Sequence, residues 1–191
     1  MIRNDITIRP ETPEDFATIE TLVRRAFAEH TGYSNGDDEV ALINEIRAGR
    51  YYRPELSFVA LLGDEIVGHF LLSDFPLSPA PNGGYDPMVK AGFALLGPVA
   101  VHADYYRQGI GETMLRLGLE RAKQLDYKGI LVEGDFHFYN RLGFETSADY
   151  GILATCGFPM EEPRCMMCME TRPGSLAGVN GYIVYDMYEN A

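Results

Sequence analysis

Residues 95–116 read LLGPVAVHADYYRQGIGETMLR. Extended back to Phe93, the stretch opens as an apolar run to His102, the pattern of a strand buried on both faces. Tyr105 to Gly111 interrupts it with a Gly-x-Gly. From there to about Leu125 the apolar residues recur at helical spacing. Met114, Leu115, Gly118, Ala122 and Leu125 form an inner face, and Glu112, Arg116, Glu120 and Lys123 an outer one. The first turn of any helix has backbone N–H groups without intrahelical partners and carries partial positive charge. Glycines at that point let a phosphate approach the main chain closely. Gln108, Gly109, Ile110 and Gly111 therefore offer a pyrophosphate cradle, to which Arg107 adds a charge-assisted contact. A plainer reading of the same residues is a tight strand-to-helix turn with no ligand. Two nucleotide-binding motifs fit poorly. No Gly-Lys-Ser/Thr string follows the glycines, and position 114 is Met where a dinucleotide fingerprint requires a third glycine.

A second signal lies at residues 134–144, GDFHFYNRLGF. The apolar run Gly129 to Glu133 predicts a buried strand, His137 to Leu142 a short helix, and Gly143 its end. If this strand lies parallel beside the one at Phe93, their C-terminal ends face one cleft, where ligands of open α/β sheets bind. A hydroxyl at Tyr139 can there protonate a leaving thiolate. The alternative is an amphipathic core aromatic with its hydroxyl in water.

Outward from these segments the chain alternates strands and helices. Ile6 to Arg9 alternates as a strand. Thr12 and Pro13 then start a helix whose face is Phe16, Ile19, Leu22, Val23, Ala26 and Phe27. A break at Gly32 to Gly36 precedes a second helix that begins near Asp37 and Asp38, buries Val40, Ile43 and Ile46, and ends at Gly49. Ser57 to Leu62 and Glu65 to Ser73 form a hairpin about Gly63-Asp64. Asp74 to Ala91, with four Pro and two adjacent Gly, is expected to be a mobile loop and one wall of an acceptor site. Further strands are expected at Gly151 to Thr155, Cys165 to Thr171 and Gly181 to Asp186. The fold class is α/β. A single domain over 1–191 is expected, with a C-terminal strand extension from about 172.

The 191 residues, 46% of them hydrophobic, supply a full core without metal or disulfide staples. Three Cys, an odd number at low density, argue for a reducing compartment. The opening MIRNDITIRPETPEDF does not read as a signal or transit peptide, and no apolar stretch approaches membrane-spanning length. A soluble cytoplasmic protein is expected. The net charge of −12 shows no basic stripe, which argues against nucleic acid as partner. The acidity serves solubility or attracts a cationic amine. Cys165-Met166-Met167-Cys168 is a lone CxxC with Cys156 nearby and no His close in sequence, so free thiols are expected and a metal is not.

Taken in order and spacing, these segments resemble the GNAT superfamily of N-acetyltransferases. The family's signature, Gln/Arg-x-x-Gly-x-Gly/Ala after an apolar strand, reads here Tyr106-Arg107-Gln108-Gly109-Ile110-Gly111 after Val99-Ala100-Val101, with Tyr106 in the place of Gln or Arg. The family's aromatic-Tyr pair before Leu-Gly-Phe stands as Phe138-Tyr139-Asn140-Arg141-Leu142-Gly143-Phe144. IRPETPEDFATIETLVRRAF and PELSFVALLGDEIVGHFLLS look like the family's opening strand and helix and its central hairpin. Glu39-Val-x-Leu-x-x-x-Ile-Arg47 and the ending LAGVNGYIVY resemble one bacterial branch of predicted N-acetyltransferases. The resemblance implies a mixed, mostly antiparallel sheet of about seven strands, with a splayed parallel pair formed by the fourth and fifth, and flanking helices. It implies acetyl transfer from acetyl-CoA to an amine, a small molecule or a peptide, by direct attack in a ternary complex, with no metal. Val99, Ala100, Val101, Tyr106, Arg107, Gln108, Gly109, Ile110, Gly111 and Glu112 are then the coenzyme-binding residues, Val99 and Val101 through their backbone. Tyr139 is the general acid for the coenzyme A thiolate. The glutamate that some members carry early in the fourth strand is absent from Ala94-Leu95-Leu96-Gly97. His69, Asp74, Glu133 and His137 are the replacements the sequence offers. The alternative function is a non-catalytic acyl-CoA sensor on the same fold. A monomer or a homodimer fits the sequence equally.

Overall fold

The computed structural model describes residues 4–30, 34–86, 88 and 90–185. Strand β1 (Ile6–Pro10) pairs antiparallel with β2 (Ser57–Leu62), from Ile6 against Leu62 to Pro10 against Phe58. β2 pairs antiparallel with β3 (Glu65–Phe75) around the expected Gly63-Asp64 turn, with an irregularity at Ala60/Leu61. β4 (Phe93–Val101) runs parallel to β5 (Gly129–Glu133). β5 pairs antiparallel with β8 (Met166–Glu170), and β8 with the two-residue β6 (Glu145–Thr146). The strand order of this seven-stranded sheet is β1-β2-β3-β4-β5-β8-β6. The short β7 (Ile152–Ala154) and β9 (Gly181–Ile183) form a separate parallel pair. The helices are α1 (Phe16–His30), α2 (Asp37–Ala48), α3 (Ile110–Lys123) and α4 (Phe136–Tyr139).

The chain divides into two compact units, residues 1–72 with 97–121, and 73–96 with 122–191. In the first unit a turn at Pro13–Asp15 leads into α1, and the Asp15 carboxylate accepts the Thr12 N–H at 2.8 Å. Such a reciprocal cap satisfies groups that a helix start leaves open. α1 and α2 are tied by Arg24 Nε donating to Asp37 Oδ1 at 2.8 Å and Asn44 Nδ2 to Glu20 Oε1 at 3.1 Å. Ile19, Val23, Ile43, Phe58, Phe70, Met114 and Leu115 are buried. The rings of Phe58 and Phe70 stack at 5.2 Å. Gly118 lets α3 come close over that layer, since a Cβ there would lie 2.2 Å from Phe70 Cζ.

The same unit buries a charged cluster. Glu11, just past β1, accepts from Arg47 of α2 twice, Nη2 to Oε2 at 2.7 Å and Nε to Oε1 at 3.0 Å. Tyr52 donates its hydroxyl at 2.8 Å and His69 of β3 lies 3.0 Å away. Burial opposes the Glu11 charge, but the hydrogen bonds from His69, Arg47 and Tyr52 outweigh it and hold the carboxyl well below the usual range. An ionised carboxylate only accepts, so His69 Nε2 carries the proton toward it. Burial keeps the ring neutral by lowering its pKa.

In the second unit Phe75, Ile130, Leu131, Phe144 and Met167 are buried. Tyr127 donates its hydroxyl to Asp74 at 2.6 Å. Asp74, expected to open a loop, instead sits in β3. The following segment is bridged at Ser78 to Tyr182 by two backbone bonds of 2.8 and 2.9 Å.

Other boundaries move by one to three residues, and β9 ends at Ile183 short of the expected Asp186. β4 stops at Val101 and α3 at Lys123, so Leu125 is 36% exposed while Leu119 takes the inner-face place. The expected helix at His137 to Leu142 is α4 followed by a 3-10 turn at Asn140–Leu142, which Gly143 ends at φ 96°. Residues 31–33 of the break before α2, and Asp186, lie outside the described residues. Among the described residues no helix is long and apolar enough to cross a membrane.

Candidate functional site

The glycine turn lies wholly in the first unit. Along the end of β4 the residues alternate, Ala100 buried, Val99 and Val101 half-buried. The strand's exit is anchored. His102 N–H donates to Val67 O at 2.9 Å, and Arg25 Nη2 donates to Asp104 Oδ1 at 2.6 Å. After a 3-10 turn at Ala103–Tyr105 the backbone turns left-handed at Arg107 (φ 59°) and Gly109 (φ 82°). Gln108 Nε2 donates back to Asp104 O at 3.0 Å, which fixes the loop from within. Ile110 is buried and starts α3, and Thr113 returns both its N–H (3.0 Å) and its hydroxyl (2.9 Å) to Gly109 O. Glu112 pairs with Arg116 at 3.1 Å, the expected i,i+4 contact. Tyr106 is 48% exposed, with the Arg107 guanidinium 5.8 Å from its ring centre. The two left-handed residues flank Gln108 just before the helix, whose first-turn N–H groups at Ile110, Gly111 and Glu112 precede the first intrahelical bond at Thr113, an arrangement suited to a phosphate.

The parallel pairing of β4 with β5 runs from Phe93 against Gly129 to Leu96 against Val132. β4 continues beyond that register to Val101, through the residues whose backbone the sequence assigned to a ligand.

Tyr139 lies in the second unit, on α4. Asp135 caps this helix, its carboxylate accepting the His137 N–H at 2.9 Å, and Asp135 O accepts the Tyr139 N–H at 3.1 Å. The ring makes edge contacts with Phe138 at 5.1 Å and Phe144 at 5.7 Å. It lies against Gly134, where a Cβ would be 2.8 Å from Tyr139 Cε2. So Gly134, Phe138 and Phe144 together lock one ring. At 8% exposure, burial pushes its hydroxyl above the ordinary tyrosine value, helped by the Asp135 charge. It is therefore protonated at neutral pH, as a proton donor must be.

Two of the four candidate bases, His69 and Asp74, have other occupations. His69 is fully buried in the Glu11 cluster. Asp74 is buried against the Tyr127 hydroxyl. The His137 ring lies 4.2 Å from that of Phe136. Glu133 ends β5 half-buried, and burial raises its pKa. Of the thiols, Cys156 is exposed, Cys165 half-buried and Cys168 buried, and burial pushes the Cys168 thiol up to about 12. Among the described residues no group of three or more His, Cys, Asp or Glu is arranged to hold a metal ion. Sequence reading missed a surface cavity of about 660 Å³ lined by Asn140, Phe144, Glu145, Asp149 and Tyr150. It also missed the Glu11 cluster, since nothing in the chain order links positions 11, 47, 52 and 69.

The model of the acetyltransferase (GNAT) family matches residues 17–144, the span that holds both motifs. The chain belongs to this family. As a GNAT member it is an acyltransferase. It is 29% identical over 167 residues to the uncharacterised N-acetyltransferase YjhQ of Escherichia coli K12, covering 86% of this chain and 84% of that one. The fold matches the GNAT N-acetyltransferase YhbS of Escherichia coli, solved with CoA, at a TM-score of 0.78 and 23% identity over 98% of this chain and 93% of that one. It matches a GNAT acetyltransferase of Brucella melitensis, solved with acetyl-CoA, at 0.72 and 24% over 98% and 99%. The seven-stranded sheet with its parallel β4/β5 pair is thus the GNAT fold.

Proposed function

We propose that the protein transfers an acetyl group from acetyl-CoA to an amine by direct attack in a ternary complex. The observation that carries this reading is the left-handed turn at Arg107 and Gly109 opening α3 directly after β4. Its first-turn N–H groups and the Arg107 guanidinium suit the diphosphate of coenzyme A. Val99 and Val101, half-buried beyond the β4/β5 register, suit the amide-bearing pantetheine arm through their backbone. Tyr106, Gln108 and Glu112 shape the cradle, and Ile110 anchors it. Family membership and the coenzyme bound in the two solved relatives support the same donor.

The chemistry asks the protein for position and charge stabilisation. The acceptor nitrogen attacks the thioester carbonyl, the C–S bond breaks, and the Tyr139 hydroxyl hands its proton to the departing sulfur. Acetyl-CoA at about 100 times its Kd should stabilise the fold by about 2.7 kcal/mol. Free-thiol release is then followed across a panel of amines, amino acids and peptides. Tyr139→Phe should keep the acetyl-CoA-induced shift in Tm and lose about 10²-fold or more in turnover. A wild-type protein that binds acetyl-CoA and releases no thiol with any acceptor or with water is the non-catalytic sensor. A wild-type protein whose Tm acetyl-CoA does not move refutes both readings.

A further inference from the structure

We propose that Glu133 is the general base of this enzyme, taking the proton from the attacking nucleophile. This rests on the acetyl-transfer reading above. Glu133 is the last residue of β5, at the C-terminal end of a parallel strand, where α/β folds place their chemistry. The next residue, Gly134, is the one the Tyr139 ring lies against. Base and acid therefore flank a single glycine.

The carboxylate is built in from three sides. Tyr185 donates its hydroxyl to Oε2 at 2.9 Å. The Phe158 N–H hydrogen-bonds the carboxylate from the turn after Cys156. Gly157 makes that turn possible, with φ 75° and a position where a Cβ would stand 3.1 Å from Oε1. On the β8 side Glu133 is paired with Met166. The Cys165 thiol lies near enough that burial, together with the Glu162, Glu133 and Asp135 charges, raises its pKa, so it stands beside Glu133 as a neutral thiol. Among the described residues no Lys, Arg or His forms an ion pair with it, unlike Glu11 beside Arg47. Burial favours its neutral form and two donors moderate that. A base in this state accepts a proton more readily than a solvated carboxylate does.

The proton balance closes. The acceptor ammonium gives one proton to the Glu133 carboxylate, and its nitrogen attacks the acetyl carbon. The C–S bond breaks and the sulfur takes the Tyr139 proton. The acylated nitrogen sheds its second proton to the Tyr139 phenolate, and Glu133 releases its own proton to solvent. With no amine present, water takes the nucleophile's part, giving acetate and free coenzyme A.

The test needs only acetyl-CoA and water. Thiol release is measured from pH 4.5 to 8.5 for wild type, Glu133→Gln and Glu133→Asp. Glu133→Gln keeps the size of the side chain and an acceptor oxygen for Tyr185, so the acetyl-CoA-induced shift in Tm should match wild type. Its rate at pH 7 should fall about 10²-fold or more, and the acid limb of the profile should vanish. Glu133→Asp should keep the limb at a reduced rate, which a merely structural carboxylate would not do. A Glu133→Gln rate within threefold of wild type with the same limb overturns the proposal, as does a loss that Glu133→Asp shares without any limb. A wild-type protein with no acetyl-CoA-induced shift fails one step earlier, at the coenzyme, and that result overturns the donor reading instead.

Discussion

Replacing Arg47 with Met should cost about 3–5 kcal/mol at pH 7, because it strands a buried carboxylate. The Glu11 side chain has 0% exposure and that of Arg47 7%. Two bonds of 2.7 and 3.0 Å join them, and the guanidinium also covers the Phe16 ring at 3.8 Å. Met replaces the aliphatic stem but neither donor. Tyr52 and a neutral His69 remain, and neither supplies a positive charge. For a chain of this length the loss corresponds to a fall in Tm of about 6–20 °C. Urea unfolding at pH 7 measures it. In a Glu11→Gln background the charge is gone, so the same Arg47→Met change should cost about 2 kcal/mol less. The pH dependence has a fixed sign. In wild type the folded Glu11 pKa is depressed, so its contribution is complete above the unfolded value of 4.5 and is lost as pH falls below it. In Arg47→Met the stranded carboxyl has a raised pKa, and protonation relieves it. The gap between the two proteins should therefore narrow from pH 7 to pH 5. A cost under about 1 kcal/mol at pH 7, or a gap that ignores pH, would refute the buried ion-pair account.

Gly118→Ala places a methyl 2.2 Å from Phe70 Cζ, and a loss of about 1–3 kcal/mol in urea unfolding is expected. Gly109→Ala meets φ 82° with a Cβ, so stability should fall by about 1–2 kcal/mol, and acetyl-CoA should bind more weakly by isothermal titration. His69 has a folded pKa below its unfolded value, so folding loses stability as pH falls below about 6.5. The slope is at most about 1.4 kcal/mol per pH unit and should be absent from His69→Gln. Titration of native protein with a thiol reagent at pH 8 should modify Cys156 at once and spare Cys168, whose thiol is buried and pushed up to about 12.

Much of the fold is legible in the chain because its signals are local. Gly-x-Gly after an apolar run, an i,i+4 pair on α3, the Gly63-Asp64 turn and the cap at Thr12 each act within a few residues, so their geometry follows from residue type. The boundaries that slipped are those where a neighbour decides. Asp74 reads as a loop residue until the Tyr127 hydroxyl, far along the chain, gives its carboxylate a partner. Leu125 fits the helical period, but α3 ends before it, and Leu119 takes the core. The two residues of β6 carry no periodicity to detect, and β8 creates that strand by pairing with it.

The sequence by itself determined the family, the glycine turn that opens α3 and the tyrosine of α4, since each is a short string whose chemistry depends on adjacent residues. Only the tertiary structure decided which titratable side chains are available. It buried His69 against Glu11, gave Asp74 to Tyr127, and left Glu133 at the end of β5 with two hydrogen-bond donors. A pKa is set by whatever charge, solvent and hydrogen bonds surround a group in space, and chain order does not record those neighbours.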